Sequence, residues 1–253
     1  MKPGTLYSEE QIPSFRCPTC NYGDMIPVGE VSNRQSDVRS GGDTRVILRS
    51  DLLCQNDNCG EVGVIVMMGE FYSDGQRDSE MLFAPVYVNP APNMFELHQA
   101  YPCKIRILLE QVFSLFWIDY SSCGNKLRIV VEELLSQQHV EQYRKNKAGV
   151  VLLSQKGHPK THSLQQRLEQ YKKRGKVESK CVTALEAIKW LGNESSHSGD
   201  GVFQKTVYQA IMVFGAVLEQ IYMGKELPKS LEFSVSNINF FYHPEKQEFR
   251  PKK

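Results

Sequence analysis

Two short-spaced cysteine pairs constrain the N-terminal part of this chain more than any other feature. In FRCPTCNYG two residues separate Cys17 from Cys20, and in LLCQNDNCGEVG four separate Cys54 from Cys59. A turn that presents two thiolates on one side, met by a second such turn across a β-rich insert, supplies the four ligands of a tetrahedral site. The pattern therefore predicts one structural zinc on Cys17, Cys20, Cys54 and Cys59. A redox-active CxxC and unrelated surface cysteines are the competing readings, and the second pair and the lack of a βαβ context count against the first. Cys103, Cys123 and Cys181 fall in helical stretches and read as buried thiols.

The compartment bears on that choice. No apolar run approaches the roughly 18 to 20 residues that cross a bilayer. MKPGTLYSEEQIPSF carries acidic residues and no apolar centre, unlike a secretory signal. A cytoplasmic chain with reduced thiols and no membrane partner is expected, where spaced cysteines suggest metal before disulfide. Thirty basic against 29 acidic side chains leave +1, so no global field advertises a nucleic acid, and any such binding must use a local patch.

The composition changes near Pro102. Before it, TRVILRS, EVGVIVMMGEFY and LFAPVYV are strand-like runs separated by turn residues. NPAPNMFELHQAYP, with its prolines, reads as an extended connector. Beyond it the apolar spacing becomes helical. Helices are predicted over about Lys104 to Trp117, about Asn125 to Tyr143, SLQQRLEQYKKRG, and Glu178 to Trp190. DYSSCG reads as a turn and KNKAGVVLLSQKGHPKT as an interhelical loop, with no internal repeat anywhere. Asp200 reads as the cap of a long helix from about Gly201 to Tyr222, and LEFSVSNINFFY as a strand-like run before a basic tail. The expectation is an α+β chain in three parts: a zinc-ribbon-like β module over 1–101, an all-α bundle over 102–224, and a strand-like segment with a tail over 225–253.

With the helices placed, two stretches carry a resemblance. FAPVYVNPAPNMFELHQAYPCKIRILLEQVFSLFWIDYSSCGNKLRIVVEELL and ALEAIKWLGNESSHS resemble the bacterial domain-of-unknown-function 4145 family, over roughly Phe83 to Met223. NKLRIVVEELL and WLGNESSH are the most specific pieces. The resemblance implies likeness to the wider HEPN class of helical bundles, many of which are dimeric, metal-independent endoribonucleases, and it implies links to phage defence. Their signature is an arginine, a polar residue, three further residues and a histidine.

Asn193 and His197 match the polar residue and the histidine, but Gly192 stands where the arginine belongs. Cleavage of this kind needs a base for the ribose hydroxyl and a fixed cation for the charge developing on phosphate. His197 could supply only the first. The bland reading of WLGNESSH is a helix end, with Gly192 or Asn193 in the left-handed cap position and His197 near the next helix start. Arg128 and Glu132, four apart, read as a pair tying their helix to this segment, or as a phosphate contact; Lys189 is the nearest basic residue upstream. The run YKKRGKVESK reads as a solvated helix end.

These readings predict a homodimer that binds RNA or a nucleotide or assembles with another defence-system protein, with weak or no catalysis. A metal-independent, toxin-like endoribonuclease using His197 and a protein-binding adaptor are the alternatives.

Overall fold

A computed structural model describes residues 1, 3–37, 44–72, 80–197 and 202–244. The chain divides into two compact units, Met1–Met94 with Phe113–Asp119, and Phe95–Val112 with Tyr120–Lys253. Among the described residues no helix is long and apolar enough to cross a membrane.

The first unit is built on a five-stranded antiparallel meander, β1 (Phe15–Arg16), β2 (Asp24–Asp37), β3 (Thr44–Cys54), β4 (Val62–Tyr72) and β5 (Glu80–Asn89), each strand paired with the next in sequence. β3 shows why: Val46, Leu48, Ser50, Leu52 and Cys54 are buried while Ile47, Arg49, Asp51 and Leu53 are exposed, the two-residue period of a strand with one face covered. The register sets Leu48 opposite Met67 and Ser50 opposite Ile65, so one face carries the core of this unit. The strand-like runs of the sequence correspond to β3, β4 and β5.

The second unit is helical: α1 (Cys103–Phe116), whose C-terminal residues fall in the first unit, then α2 (Tyr120–Gln137), α3 (Leu164–Lys172), α4 (Lys176–His197), α5 (Gln204–Met223) and α6 (Ser230–Tyr242). Leu127, Val130, Val131 and Leu134 of α2 and Leu185, Ile188 and Leu191 of α4 are fully buried. The architecture is α+β, with the sheet preceding the helices.

Cys123 and Cys181 are buried as expected, but Cys103, read as a buried thiol, is exposed at the start of α1. Four further local readings are corrected. DYSSCG forms no separate turn, because from Tyr120 it is the first turn of α2, where Cys123 is buried and donates to the Val112 carbonyl. α4 does not stop at Trp190. It continues through Gly192 and Asn193 to His197. The run LEFSVSNINFFY is helix α6, held by Ile238 and Tyr242, one turn apart and buried, with the Tyr242 hydroxyl 2.9 Å from Thr206 Oγ1. Its aromatic and β-branched content suits a strand, but burial selects a helical stripe, a tertiary effect that overrides propensity. Asp200 lies outside the described residues, and α5 begins at Gln204 behind Phe203.

The fourth correction concerns the loop between α2 and α3, which contains a repeat. Arg144 N–H donates to the Lys160 carbonyl, Lys160 N–H to Leu152, and Leu152 N–H to Arg144, each at 2.8 Å, so three segments eight residues apart close a cycle. The next bonds follow the same step: Asn146 N–H donates to Val150 and Ser154 to His158 across the two turns, and His162 to Gln142 where the ends meet. Gly149 and Gly157 fill equivalent turn positions at φ of 80° and 78°, which a side chain would strain. Residues 142–163 thus form a small three-segment knob.

Arg167 of α3 and Arg174, just past its end, hold the end of α2. Buried Arg167 donates through Nη1 to the Glu132 carbonyl (3.2 Å), and through Nη2 to Ser136 Oγ (3.0 Å) and the Val140 carbonyl (3.4 Å). Arg174 donates to the Gln138 and His139 carbonyls. These cations answer the acceptors at a helix C-terminus, so one member of the YKKRGKVESK run complements α2 rather than its own helix. Arg167→Ala should destabilise the chain by about 2 to 4 kcal/mol, because buried acceptors lose their donors. Arg167→Lys should recover little, lacking the forked donor geometry. Urea unfolding checks both, and a Lys variant as stable as the wild type would refute the forked role.

Candidate metal centre and the Asn193–His197 segment

In an antiparallel meander the turn joining β1 to β2 and the turn joining β3 to β4 fall at the same end of the sheet. Met25 of β2 lies opposite Cys54, the last residue of β3, and this register brings the two cysteine turns together. Each turn is shaped by its own backbone: Cys17 N–H donates to Gly23 O and Asn21 N–H to Cys17 O, while Cys54 N–H donates to Glu61 O and Cys59 N–H to Asn56 O. Thr19 Oγ1 donates to Glu61 Oε2 at 2.7 Å and links the two turns.

The ligand atoms of Cys17, Cys20, Cys54 and Cys59 all lie within 4.8 Å of one another, with Cys17 Sγ 3.9 Å from Cys59 Sγ and Cys20 Sγ 3.7 Å from Cys54 Sγ. A disulfide would need about 2.05 Å, and all four are free thiols. A tetrahedron with metal–sulfur bonds of about 2.3 Å has sulfur–sulfur edges of about 3.8 Å, so the cluster has the size of a metal-binding site. Its surroundings are prepared for negative sulfur: Gly23 and Tyr22 N–H groups point at Cys20 Sγ and Asn56 N–H at Cys54 Sγ, each at 3.4 Å. The contacts from Gly23 and then Tyr22 pull the Cys20 thiol down to about 6, whereas burial pushes Cys54 up to about 12. Such unlike neighbours cannot all ionise unaided, and a cation among them would displace the remaining protons. A Cβ on Gly23 would lie 2.7 Å from Cys54 Sγ, so the glycine lets the first turn close over the cluster.

The second set of candidates lies on α2 and α4. Gly192, inside α4, faces Arg128 of α2. A Cβ there would sit 2.5 Å from Arg128 Cβ, 3.0 Å from Arg128 Cδ and 3.1 Å from the Gly124 carbonyl, the first distance being shorter than real contacts allow. A Cβ on Gly124 would in turn strike Ser195. The serine hydroxyls turn back on their own helix, Ser195 Oγ to Leu191 O at 2.8 Å and Ser196 Oγ to Gly192 O at 3.1 Å. The small residues of WLGNESSH thus admit helix α2, and the expected helix-end loop is corrected to a helix–helix contact. Asn193 is half-buried on α4, and the side chain of His197 lies outside those described.

Arg128 Nη2 pairs with Glu132 Oε1 at 3.1 Å, both side chains partly exposed. Lys189 is buried, its ammonium 3.3 Å from the centre of the Trp190 ring and donating to Gln165 Oε1. Burial pulls its pKa down to about 8 against the opposing pull of Glu186 and Glu169. Sequence reasoning passed over Arg167 and the buried Glu133, whose Oε2 lies 2.6 Å from Lys104 Nζ. Hydrogen bonds and ion pairs between distant segments leave no periodic signal.

A family model described as Domain of unknown function (DUF4145) matches residues 110–239, just over half of the 253 residues. The chain belongs to that family. No curated protein and no solved structure matches it. The DUF4145 match runs from within α1 into α6 and takes in the α2–α4 contact.

That contact makes a prediction. Gly192→Ala should cost about 1 to 3 kcal/mol by overpacking, and Gly192→Arg should cost more by forcing the helices apart. Urea unfolding of the two variants measures this. Wild-type stability in Gly192→Ala would mean that α2 and α4 do not approach as closely as described.

Proposed function

We propose that this DUF4145 chain is a non-catalytic HEPN-like module that binds RNA or a nucleotide, works as a homodimer in phage-defence assemblies, and carries a zinc-ribbon-like sheet unit. The binding role follows from the likeness to the HEPN class. The observation that carries the non-catalytic part is the contact at Gly192. The position where related nucleases hold arginine is filled by Arg128 carbon atoms and the Gly124 carbonyl. The other basic groups nearby are engaged: Lys189 against Trp190 and Gln165, Arg128 with Glu132. A histidine base without a fixed cation leaves the charge developing on phosphate unstabilised.

Purified protein incubated with mixed RNA in the presence of a chelator should leave the RNA intact, and His197→Ala should behave as the wild type. Rapid cleavage that His197→Ala abolishes would overturn this reading and select the toxin-like endoribonuclease instead.

The reading of the four-thiol cluster is structural zinc, supported by the all-sulfur donor set and the sulfur–sulfur distances. The four cysteines would hold the ion closed to solvent ligands, so it would stabilise the sheet and leave no open coordination position for chemistry. Elemental analysis should find one zinc per chain. Cys54→Ser should lose it and melt the sheet unit while far-UV circular dichroism retains the helical signal. Protein purified without added chelator and holding no metal would refute this assignment.

A further inference from the structure

The knob of residues 142–163 has chemistry of its own. Its 22 residues contain Arg144, Lys145, Lys147, Lys156 and Lys160 and no acidic residue, whereas acidic side chains outnumber basic ones in the rest of the chain. All five basic side chains are exposed. Lys145 pairs with Glu141 at 2.8 Å and Arg144 donates to Gln166 at 3.1 Å, whereas Lys147, Lys156 and Lys160 form no ion pair among the described residues. The knob is also not built around a core. Val150, Leu152 and Leu153 are 61%, 39% and 57% exposed, and the shape is fixed by the cycle of backbone hydrogen bonds and by Asn146 and Ser154 side chains accepting from turn N–H groups. Its side chains are therefore free to face outward from a preorganised frame, which lowers the ordering cost of binding.

We propose that this knob grips the phosphate backbone of a nucleic acid without reading its sequence. A rigid element with several unpaired lysines and no anion fits a polymer with closely spaced negative charges, and its binding releases counterions. Lysine ammonium groups act as point charges and lack the bidentate geometry that reads bases, so the contact is to backbone. The exposed aliphatics offer sugar and base faces a contact surface. A bilayer is the poorer fit, since interfacial anchoring favours a large continuous apolar face and Trp or Phe, which the knob lacks. That the nucleic acid is RNA rests on the function proposed above; the phosphate grip does not.

The test is fluorescence anisotropy on the full chain with a 20-nucleotide RNA, the DNA of the same sequence, and vesicles containing anionic lipid. Combining Lys147→Ala, Lys156→Ala and Lys160→Ala should weaken RNA binding at least tenfold. It should also make the dependence of log Kd on log salt shallower by about 2, since each lost phosphate contact removes about 0.7 for a single strand. A control of equal charge, Lys172→Ala with Lys173→Ala and Lys176→Ala, should change binding less than threefold. In the wild type, RNA should also protect Lys147, Lys156 and Lys160 from acetylation, a readout that needs no variant to fold. RNA binding that ignores the knob substitutions, or falls equally in the control, overturns the knob and leaves the RNA reading standing. Knob-dependent binding of DNA alone does the reverse. Binding of neither nucleic acid, or of vesicles only, refutes the knob.

Discussion

The helical unit depends on how closely α2 and α4 approach. Gly192 and Gly124 remove side chains from both surfaces, so Arg128 carbons and the Gly124 carbonyl lie against α4 where another residue would hold the helices apart. Glycine inside a helix is unfavourable by roughly 1 kcal/mol relative to alanine. Burial of Leu127, Val131 and Leu134 on α2 and of Leu185, Ile188 and Leu191 on α4 offsets that cost, every one of them fully buried. The same contact accounts for the length of α4, because Leu191 is buried and Ser195 and Ser196 face back onto the helix within its last turns.

In the sheet unit the corresponding constraint is topological. A meander returns alternate turns to one end, so two local motifs far apart in sequence become neighbours, and the Thr19–Glu61 hydrogen bond links them there. The thiols then define a site whose dimensions match one tetrahedral ion. The N–H groups aimed at Cys20 and Cys54 give the cluster a polarity before any cation is considered.

The legible features were those with short-range grammar. Cysteine spacing, the strand-like run TRVILRS and the helical period of NKLRIVVEELL each state their local geometry. What escaped is what the rest of the molecule decides. Gly192 carries the same symbol whether it ends a helix or admits a neighbour, and only the presence of Arg128 distinguishes the two. The α6 run had strand composition, yet Ile238 and Tyr242 bury one helical stripe. The eight-residue repeat of the knob was hidden because side chains carry almost none of it. Gly149 and Gly157 are its one repeated residue type, while Arg144, Leu152 and Lys160 occupy equivalent positions through their backbones.

The closure of that knob has a consequence for the protein in crowded solution. Each of its three segments pairs with both others, through Tyr143 with Thr161, Lys145 with Val151 and Leu153 with Pro159. An exposed β-ribbon ordinarily offers an unpaired edge to any passing strand, which is the route to aggregation. A cycle has no first or last strand. The knob can therefore display aliphatic side chains in water without offering a template for strand addition.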